Sequence, residues 1–294
     1  MKLIPIKCVN LSNTISYNGT NYTSSTPCII PYSDQRDANI KYICINRCNN
    51  FNKLTGRSRV INQIFHLDYD FNILASQIIG HNFRSLGPEG IEDVRLFNHN
   101  NIIHYIGSYK FGRFNRGTVG IFKRDLFDNT IINVPFSSDP NRWEKNWCFF
   151  DYNSELCVIY QWFPLIICKI DFDTKKLILL ETRTMPNIFA TLRGSSCGIK
   201  HNNQIWFTVH ETTVEQGTKK YTHMFAVFDI NMNLIKYSCF FQFETDREFS
   251  YGLIIENDRF IISYSTNNNT SKIAPYDANY ITNELEWINV QMNK

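Results

Sequence analysis

Residues 90 to 97 read Gly-Ile-Glu-Asp-Val-Arg-Leu-Phe, an acid pair and an arginine inside a run whose Ile91, Val94, Leu96 and Phe97 are those of a β-strand. A carboxylic acid in a concave site can lend a proton, and basic groups converging on it can hold an anion. Adjacent strand residues face opposite sides, so Glu92 and Asp93 point apart. Asp93 and Arg95 share a face and could simply pair with each other at a blade edge. Other ionisable residues sit in similar settings: Arg47 closing Cys-Ile-Asn-Arg, Lys145-Asn146 before an aromatic run, Arg193 before Gly-Ser-Ser, and His210 in Trp-Phe-Thr-Val-His-Glu. The elements that carry these residues decide which of them can meet.

Short apolar or aromatic runs separated by Asn, Asp and Gly dominate the chain, and helical periods do not persist, so the class is all-β. Four segments share one design, a polar turn followed by a strand: NHNNIIHYIGSY from Asn98, DYNSELCVIYQW from Asp151, KHNNQIWFTVHE from Lys200 and IENDRFIISYST from Ile255. The first large apolar residues after the turns, Ile103, Leu156, Ile205 and Phe260, are spaced by 53, 49 and 55 residues. A weaker copy runs from Asn39, with Tyr42 in the anchor place and Pro31 near the matching opening of the preceding strand. Each repeat has room for two further strands. Five units of roughly 50 residues with four strands each are what a five-bladed β-propeller of antiparallel blades requires. The boundaries expected are a strap over 1–30 and blades over 31–85, 86–140, 141–190, 191–245 and 246–294, all in one domain.

The first strand of a propeller blade lines the central channel, so matched positions converge. Eleven residues before the anchors lie Glu92-Asp93, Lys145-Asn146, Gly194-Ser195 and Phe249-Ser250. Five residues after them lie Arg47, Ser108, Gln161, His210 and Ser265. Packing alone would favour apolar side chains at such places, so the two sets predict a shared polar mouth. The bland alternatives are a solvated turn for Lys145 and Asn146, a core histidine for His210, surface charge for Arg193, and packing between blades for Trp143, Trp147, Trp162 and Trp206.

Composition narrows the partners. The chain has 294 residues, 43% of them hydrophobic, which is enough for a large core, and its 30 basic and 27 acidic residues are spread without the basic stripe of a nucleic-acid binder. Nine cysteines without a Cys-x-x-Cys pair read as buried thiols in a reducing compartment. The first residues lack the apolar core of about 7–15 residues of a signal peptide, and no run reaches the length of a membrane span. A soluble cytoplasmic protein is expected. No metal or nucleotide motif is present.

Gly-Ile-Glu-Asp-Val-Arg-Leu-Phe followed by Ile-Ile-His-Tyr-Ile-Gly-Ser-Tyr resembles the E-D-x-R segment and aromatic strand of the glycoside hydrolase family 130-like propellers, the β-mannoside phosphorylases and β-1,2-mannosyltransferases. The likeness continues through CINR, EKNWCFFDYNSELCVIYQW, RGSS, WFTVHE and FSYGLIIENDRFIISYS, and so covers most of the chain. Val94 stands where the family usually has proline. The resemblance implies that Asp93 is the general acid, that Glu92 and Asn146 contact sugar, and that Arg47, Lys145, Arg193 and His210 form an anion pocket; further candidate sugar contacts are Arg95, Trp147, which follows the Lys-Asn pair closely enough to stack on a ring, and Tyr264. It implies transfer of a glycosyl unit, mannosyl in most of the family, with inversion. The co-substrate is inorganic phosphate, a sugar phosphate or a sugar nucleotide, the partner is an oligosaccharide or sugar phosphate, and no bound cofactor is needed. One acid facing several bases suits phosphorolysis or transfer better than hydrolysis, which would want a second carboxylate. The other class of reading is a non-catalytic propeller that binds glycans or a protein.

Overall fold

A computed structural model describes residues 1–33, 37–52, 57–81, 90–111, 114–123, 126–132 and 144–290. Trp143 lies outside them. Among the described residues, 23 strands form a five-bladed β-propeller. Blade 1 comprises Thr20–Pro31, Tyr42–Asn52, Arg57–Leu67 and Ile73–His81; blade 2, Glu92–His99, Ile102–Phe111, Phe114–Lys123 and Leu126–Ile131; blade 3, Cys148–Tyr152, Glu155–Trp162, Leu165–Asp171 and Lys176–Arg183. Blade 4 has a first strand in two pieces, Arg193–Gly194 and Ile199–His201, followed by Gln204–Glu215, Thr218–Asp229 and Leu234–Ser238. Blade 5 contributes Glu248–Ile255, Arg259–Thr266 and Lys272–Asp277.

Local turn chemistry fixes the repeat. In blades 2, 3 and 4 the first hairpin closes through Asn100-Asn101, Asn153-Ser154 and Asn202-Asn203, all with φ between 50° and 64°. A two-residue turn with both φ values positive is type I′, whose twist matches that of the strands, and Asn tolerates the left-handed region better than most residues. The anchors accordingly pair at one offset: Ile103 with Asn98, Leu156 with Asp151, Ile205 with Lys200 and Phe260 with Ile255. In blade 1 the equivalent pair is Tyr42 with Pro31, across the longer connection 32–41. Pro31 therefore lies at the turn end of its strand, and the blade 1 position that matches Glu92-Asp93 is Ser25-Thr26, not Pro31.

Two expected boundaries move for the same reason. Blade 1 begins at Thr20, so the strap is shorter than 1–30. Part of it becomes sheet: Val9–Asn10 pairs with Ile273 and Lys272 as the outermost strand of blade 5. The C-terminal Trp287–Asn289 pairs with Leu234–Ser238 and adds a fifth strand to blade 4, so 246–294 is not a single blade. Blades 1 and 2 share one nine-stranded sheet through parallel pairing of Leu126 with Gly80 and Phe127 with His81.

Apolar clusters lie between neighbouring blades. Trp162, Phe189, Phe207 and Phe228 fill the space between blades 3 and 4, and Phe225, Phe241, Phe243 and Phe260 that between blades 4 and 5. Seven of the nine cysteines are buried and none forms a disulfide, whereas Cys8 is exposed on the strap. Among the described residues no helix is long and apolar enough to cross a membrane.

The strap is held by Leu11, which is buried against Ile29, Tyr42 and Ile273 and whose amide donates to the Ser271 carbonyl at 2.7 Å. Replacing Leu11 with Ala is expected to cost about 2–5 kcal/mol, read in a thermal melt as a fall in Tm of about 5–10 °C. A melt unchanged by the substitution would show that the ring does not depend on this closure.

Candidate active site

None of the five first strands keeps a regular ladder through the mouth of the ring. Register breaks between Ser25 and Pro27 in blade 1, between Glu92 and Arg95 in blade 2 and between Ser250 and Gly252 in blade 5. Pairing in blade 3 starts only at Cys148, beyond Asn146, and the blade 4 strand is interrupted between Gly194 and Ile199. At three matched places the backbone is left-handed, with φ of 42° at Thr26, 57° at Asp93 and 64° at Asn146. Such bulges re-aim side chains. Val94, in the place of the family's proline, frees Asp93 from the pre-proline restriction and is itself buried beside Cys28 and Ile91.

The bulge separates Asp93 from Arg95. Arg47 Nη1 donates to Asp93 Oδ1 at 2.8 Å, in a pair whose side chains are 14% and 16% exposed. Arg95 is 1% exposed and turns into the ring wall. Its Nε donates to the Ser195 carbonyl at 2.5 Å, Nη1 to the Asp93 carbonyl at 3.0 Å, and Nη2 to the Gly194 carbonyl at 3.0 Å and to Asn146 Oδ1 at 3.2 Å. The guanidinium lies 4.2 Å from the centroid of the Tyr251 ring. The sugar-contact role expected of Arg95 is thus replaced by a positioning one, and the same-face pairing of Asp93 with Arg95 does not form because the bulge breaks the alternation on which it depends.

Four positive groups are gathered near the acid. Lys145 and Asn146 line both a narrow cleft containing Asp93 and Ser108 and an adjoining cavity of about 620 Å³ between blades 3 and 4. Arg193 and Lys219 line that cavity too, and among the described residues no carboxylate lines it. Burial lowers the pKa of Lys145, with Asp93 opposing the shift and Arg193 and Lys219 adding to it. Arg47 completes the set on the far side of Asp93. Glu92 pairs in register with Ser108 and is close enough to influence both Arg47 and Lys145.

His210 faces the Ser195 hydroxyl, with Nδ1 and Oγ 2.8 Å apart. It is buried, and burial, followed by His223 and Arg95, holds its pKa well below the usual histidine value. A neutral imidazole can orient Ser195 but brings no charge to an anion, which departs from the expected basic role. Its cross-strand neighbour His223 is fully buried, neither ring nitrogen has a hydrogen-bond partner, and Glu248 approaches to 3.6 Å.

Two other expected contacts lie elsewhere. Trp147 is 2% exposed and packs against Tyr160 and Phe149 in the blade 2–3 core, directly over Gly117. Tyr264 is 1% exposed; its hydroxyl donates to Glu244 Oε1 at 2.5 Å and its ring stacks on Phe243. Both are large aromatic residues near matched positions whose rings point into inter-blade core. The reading from sequence missed Lys219 and Tyr251. Tyr251 lies two residues beyond Phe249 and was legible from the repeat, whereas Lys219 reaches the cavity from the end of a long hairpin that the repeat does not share.

No family model and no curated protein sequence matches the chain. Solved structures do. The β-1,2-mannobiose phosphorylase of Listeria innocua, in complex with β-1,2-mannobiose, is 16% identical over 96% of this chain and 95% of its own, with a TM-score of 0.58. A mannose phosphorylase from Leishmania mexicana in complex with phosphate is 10% identical over 88% and 85%, with a TM-score of 0.55. A GDP-Man-dependent mannosyltransferase from Leishmania mexicana is 11% identical over 89% and 88%, with a TM-score of 0.58.

The buried histidines generate a pH dependence. Burial pushes His223 down to about 3, so between pH 6.5 and that value the unfolded chain binds a proton that the folded protein does not. Stability is therefore present above pH about 6.5 and falls on acidification by about 1.4 kcal/mol per pH unit for this residue. His210 acts in the same direction, and Glu248, whose pKa is raised by burial, opposes it. Denaturant melts at pH 7 and pH 5 should show a smaller loss for His223→Phe than for the native chain; an equal loss would place the acid sensitivity elsewhere. The bulged mouth, with its acid and its cations, is carried on the fold of the family 130-type mannoside phosphorylases.

Proposed function

We propose that the protein is a carbohydrate-active enzyme that transfers a glycosyl unit, mannosyl by its likeness to the structures above, to or from an anionic co-substrate with inversion. The observation that carries this reading is the juxtaposition of the mouth carboxylate Asp93 with a cavity lined by Lys145, Arg193 and Lys219 and, among the described residues, by no acid. The first structural neighbours include a mannobiose phosphorylase, and another holds phosphate. In the reaction Asp93 delivers the proton that the leaving glycosidic oxygen needs, while an oxygen of inorganic phosphate bonds to the anomeric carbon from the opposite face as the glycosidic bond breaks, giving the glycosyl phosphate; a sugar phosphate serves as donor in the reverse direction. The cations hold that anion; being already charged, it needs no base. In the reverse direction Asp93 takes the acceptor proton. Glu92 is adjacent in sequence to Asp93, and among the described residues no second carboxylate lines the cavity where a hydrolase would keep its base.

The observation favouring a non-catalytic carbohydrate-binding ring is the Arg47–Asp93 ion pair itself, which occupies a carboxylate oxygen that an acid would present. The enzymatic reading requires substrate to displace or share Arg47.

Turnover of mannosyl phosphates, β-linked mannobiose with inorganic phosphate, and nucleotide sugars distinguishes the two. Asp93→Asn is expected to lower kcat by about 10²–10⁴ without lowering Tm. Lys145→Ala and Arg193→Ala are each expected to raise KM for the anionic co-substrate by about 10–100-fold, the value of a lost charge-assisted hydrogen bond. Full activity in Asp93→Asn, or no turnover of any donor by the native protein, overturns the enzymatic reading.

A further inference from the structure

The walls of the mouth differ in height. Beyond the matched residues Arg47, Ser108 and His210 the second strands run on for five, three and five residues, to Asn52, Phe111 and Glu215. In blades 3 and 5 the strand stops one residue beyond the matched Gln161 and Ser265, at Trp162 and Thr266; Trp162 pairs with Leu165 across the turn Phe163-Pro164. The 620 Å³ cavity lies against the low wall of blade 3, with the tall blade 4 hairpin and its Lys219 on the other side. Among the described residues, an occupant of the cavity is therefore walled toward blade 4 and open over blade 3.

Phe163 stands in that opening. It lines the cavity and is 37% exposed, against 3% for Trp162 beside it and 7% for Tyr160, so its ring alone among these three aromatics meets solvent. The turn that carries it is braced by Gln161, whose Nε2 donates to the Phe163 carbonyl at 2.7 Å. The neighbouring cavity residues Ala190 and Leu192 are apolar. The braced ring offers a flat surface at the open side of the cavity, whose polar lining includes Lys145, Asn146, Arg193 and Lys219. The C–H face of a pyranose needs only that surface, since covering it removes apolar area from water on both partners.

We infer that Phe163 is the platform for the sugar unit beyond the reacting one, and that the protein takes an oligosaccharide whose chain leaves the ring over blade 3. This rests on the reading of the mouth as a glycosyl-transfer site and adds to it a chain-length preference and the residue that sets it.

The test is a titration of the full-length protein with mannose and with β-linked manno-oligosaccharides of two and three units, read by calorimetry and so independent of turnover. The native protein should bind the trisaccharide at least about tenfold more tightly than mannose, the gain expected of one stacked ring. Phe163→Ala should collapse this ratio to about twofold or less, Phe163→Tyr should preserve it, and Phe172→Ala, which alters an exposed aromatic residue outside the cavity, should leave it as in the native protein. A flat series in the native protein, or a ratio that survives Phe163→Ala, overturns the inference. So does a Phe163→Ala effect confined to a nucleoside diphosphate titrated in parallel, which would assign the ring to a base. A length-dependent series in a protein that turns over no donor overturns the enzymatic reading and leaves the platform standing; turnover with a flat series does the reverse.

Discussion

The buried guanidinium of Arg95 is the constraint from which the mouth of the ring follows. Taking a charge out of water costs several kcal/mol unless its donors are satisfied. Arg95 meets that demand with three carbonyls, from Asp93, Gly194 and Ser195, with the Asn146 amide oxygen and with the face of Tyr251. These acceptors come from blades 2 and 4 and the approach to blade 3, and the ring from blade 5. Carbonyls turned toward the guanidinium are unavailable to a ladder, so these strands break register or begin late where they surround it. The broken ladder is what aims the Asp93 carboxylate away from Arg95 and toward Arg47. Gly194 shows how little slack remains: a methyl group there would collide with Cys148 Sγ and the Asn146 carbonyl. A lysine in place of Arg95 could not reproduce this arrangement, because the contacts use the planar fork.

The same geometry explains why the mouth is asymmetric although the repeat is regular. Each blade brings its second strand up beside the opening, but how far it continues depends on a local hairpin. Blade 4 continues through Glu215 and returns from Thr218, while blade 3 turns at Phe163-Pro164. Strand length, which leaves the core positions unchanged, therefore shapes the cavity. Ring closure is similarly local: Val9–Asn10 completes the last blade and Trp287–Asn289 extends its neighbour, so both segments lie at outer sheet edges.

Much of this was legible from residue order, and the boundary of what was legible is a physical one. Two-residue Asn turns hold hairpin register rigidly, so counting back 11 residues from Ile103, Leu156 and Ile205 reached the mouth in blades 2, 3 and 4. Across the longer 32–41 connection the same count stopped at Pro31, six residues from Ser25. Alternation along a strand, the rule that put Asp93 and Arg95 on one face, fails at a bulge, and a bulge is a tertiary compromise with no residue signature of its own beyond a left-handed Asp or Asn. Trp147 and Tyr264 were misassigned because an aromatic residue one step from a matched position can face either the mouth or the inter-blade core. Lys219 arrives from an excursion that only one blade makes.

The distribution of charge around the acid bears on which chemistry the mouth can support. Arg47 is paired with Asp93, whereas Lys145, Arg193 and Lys219 line a volume that no carboxylate lines among the described residues. Cations of one sign around a low wall of aromatic side chains focus a positive potential into the cavity. Burial first, and then the basic neighbours Arg193 and Lys219, lower the Lys145 pKa against the opposing effect of Asp93 and Glu92, which marks a cost of holding these cations together. An anionic co-substrate would relieve that cost, so binding it should return Lys145 toward its ordinary pKa. His210, kept neutral, adds nothing to the field and instead holds the Ser195 hydroxyl in the residue whose carbonyl anchors Arg95. The arrangement divides accordingly: a neutral and backbone-based frame fixes where the carboxylate stands, and Lys145, Arg193 and Lys219 from blades 3 and 4 set the charge of the volume beside it.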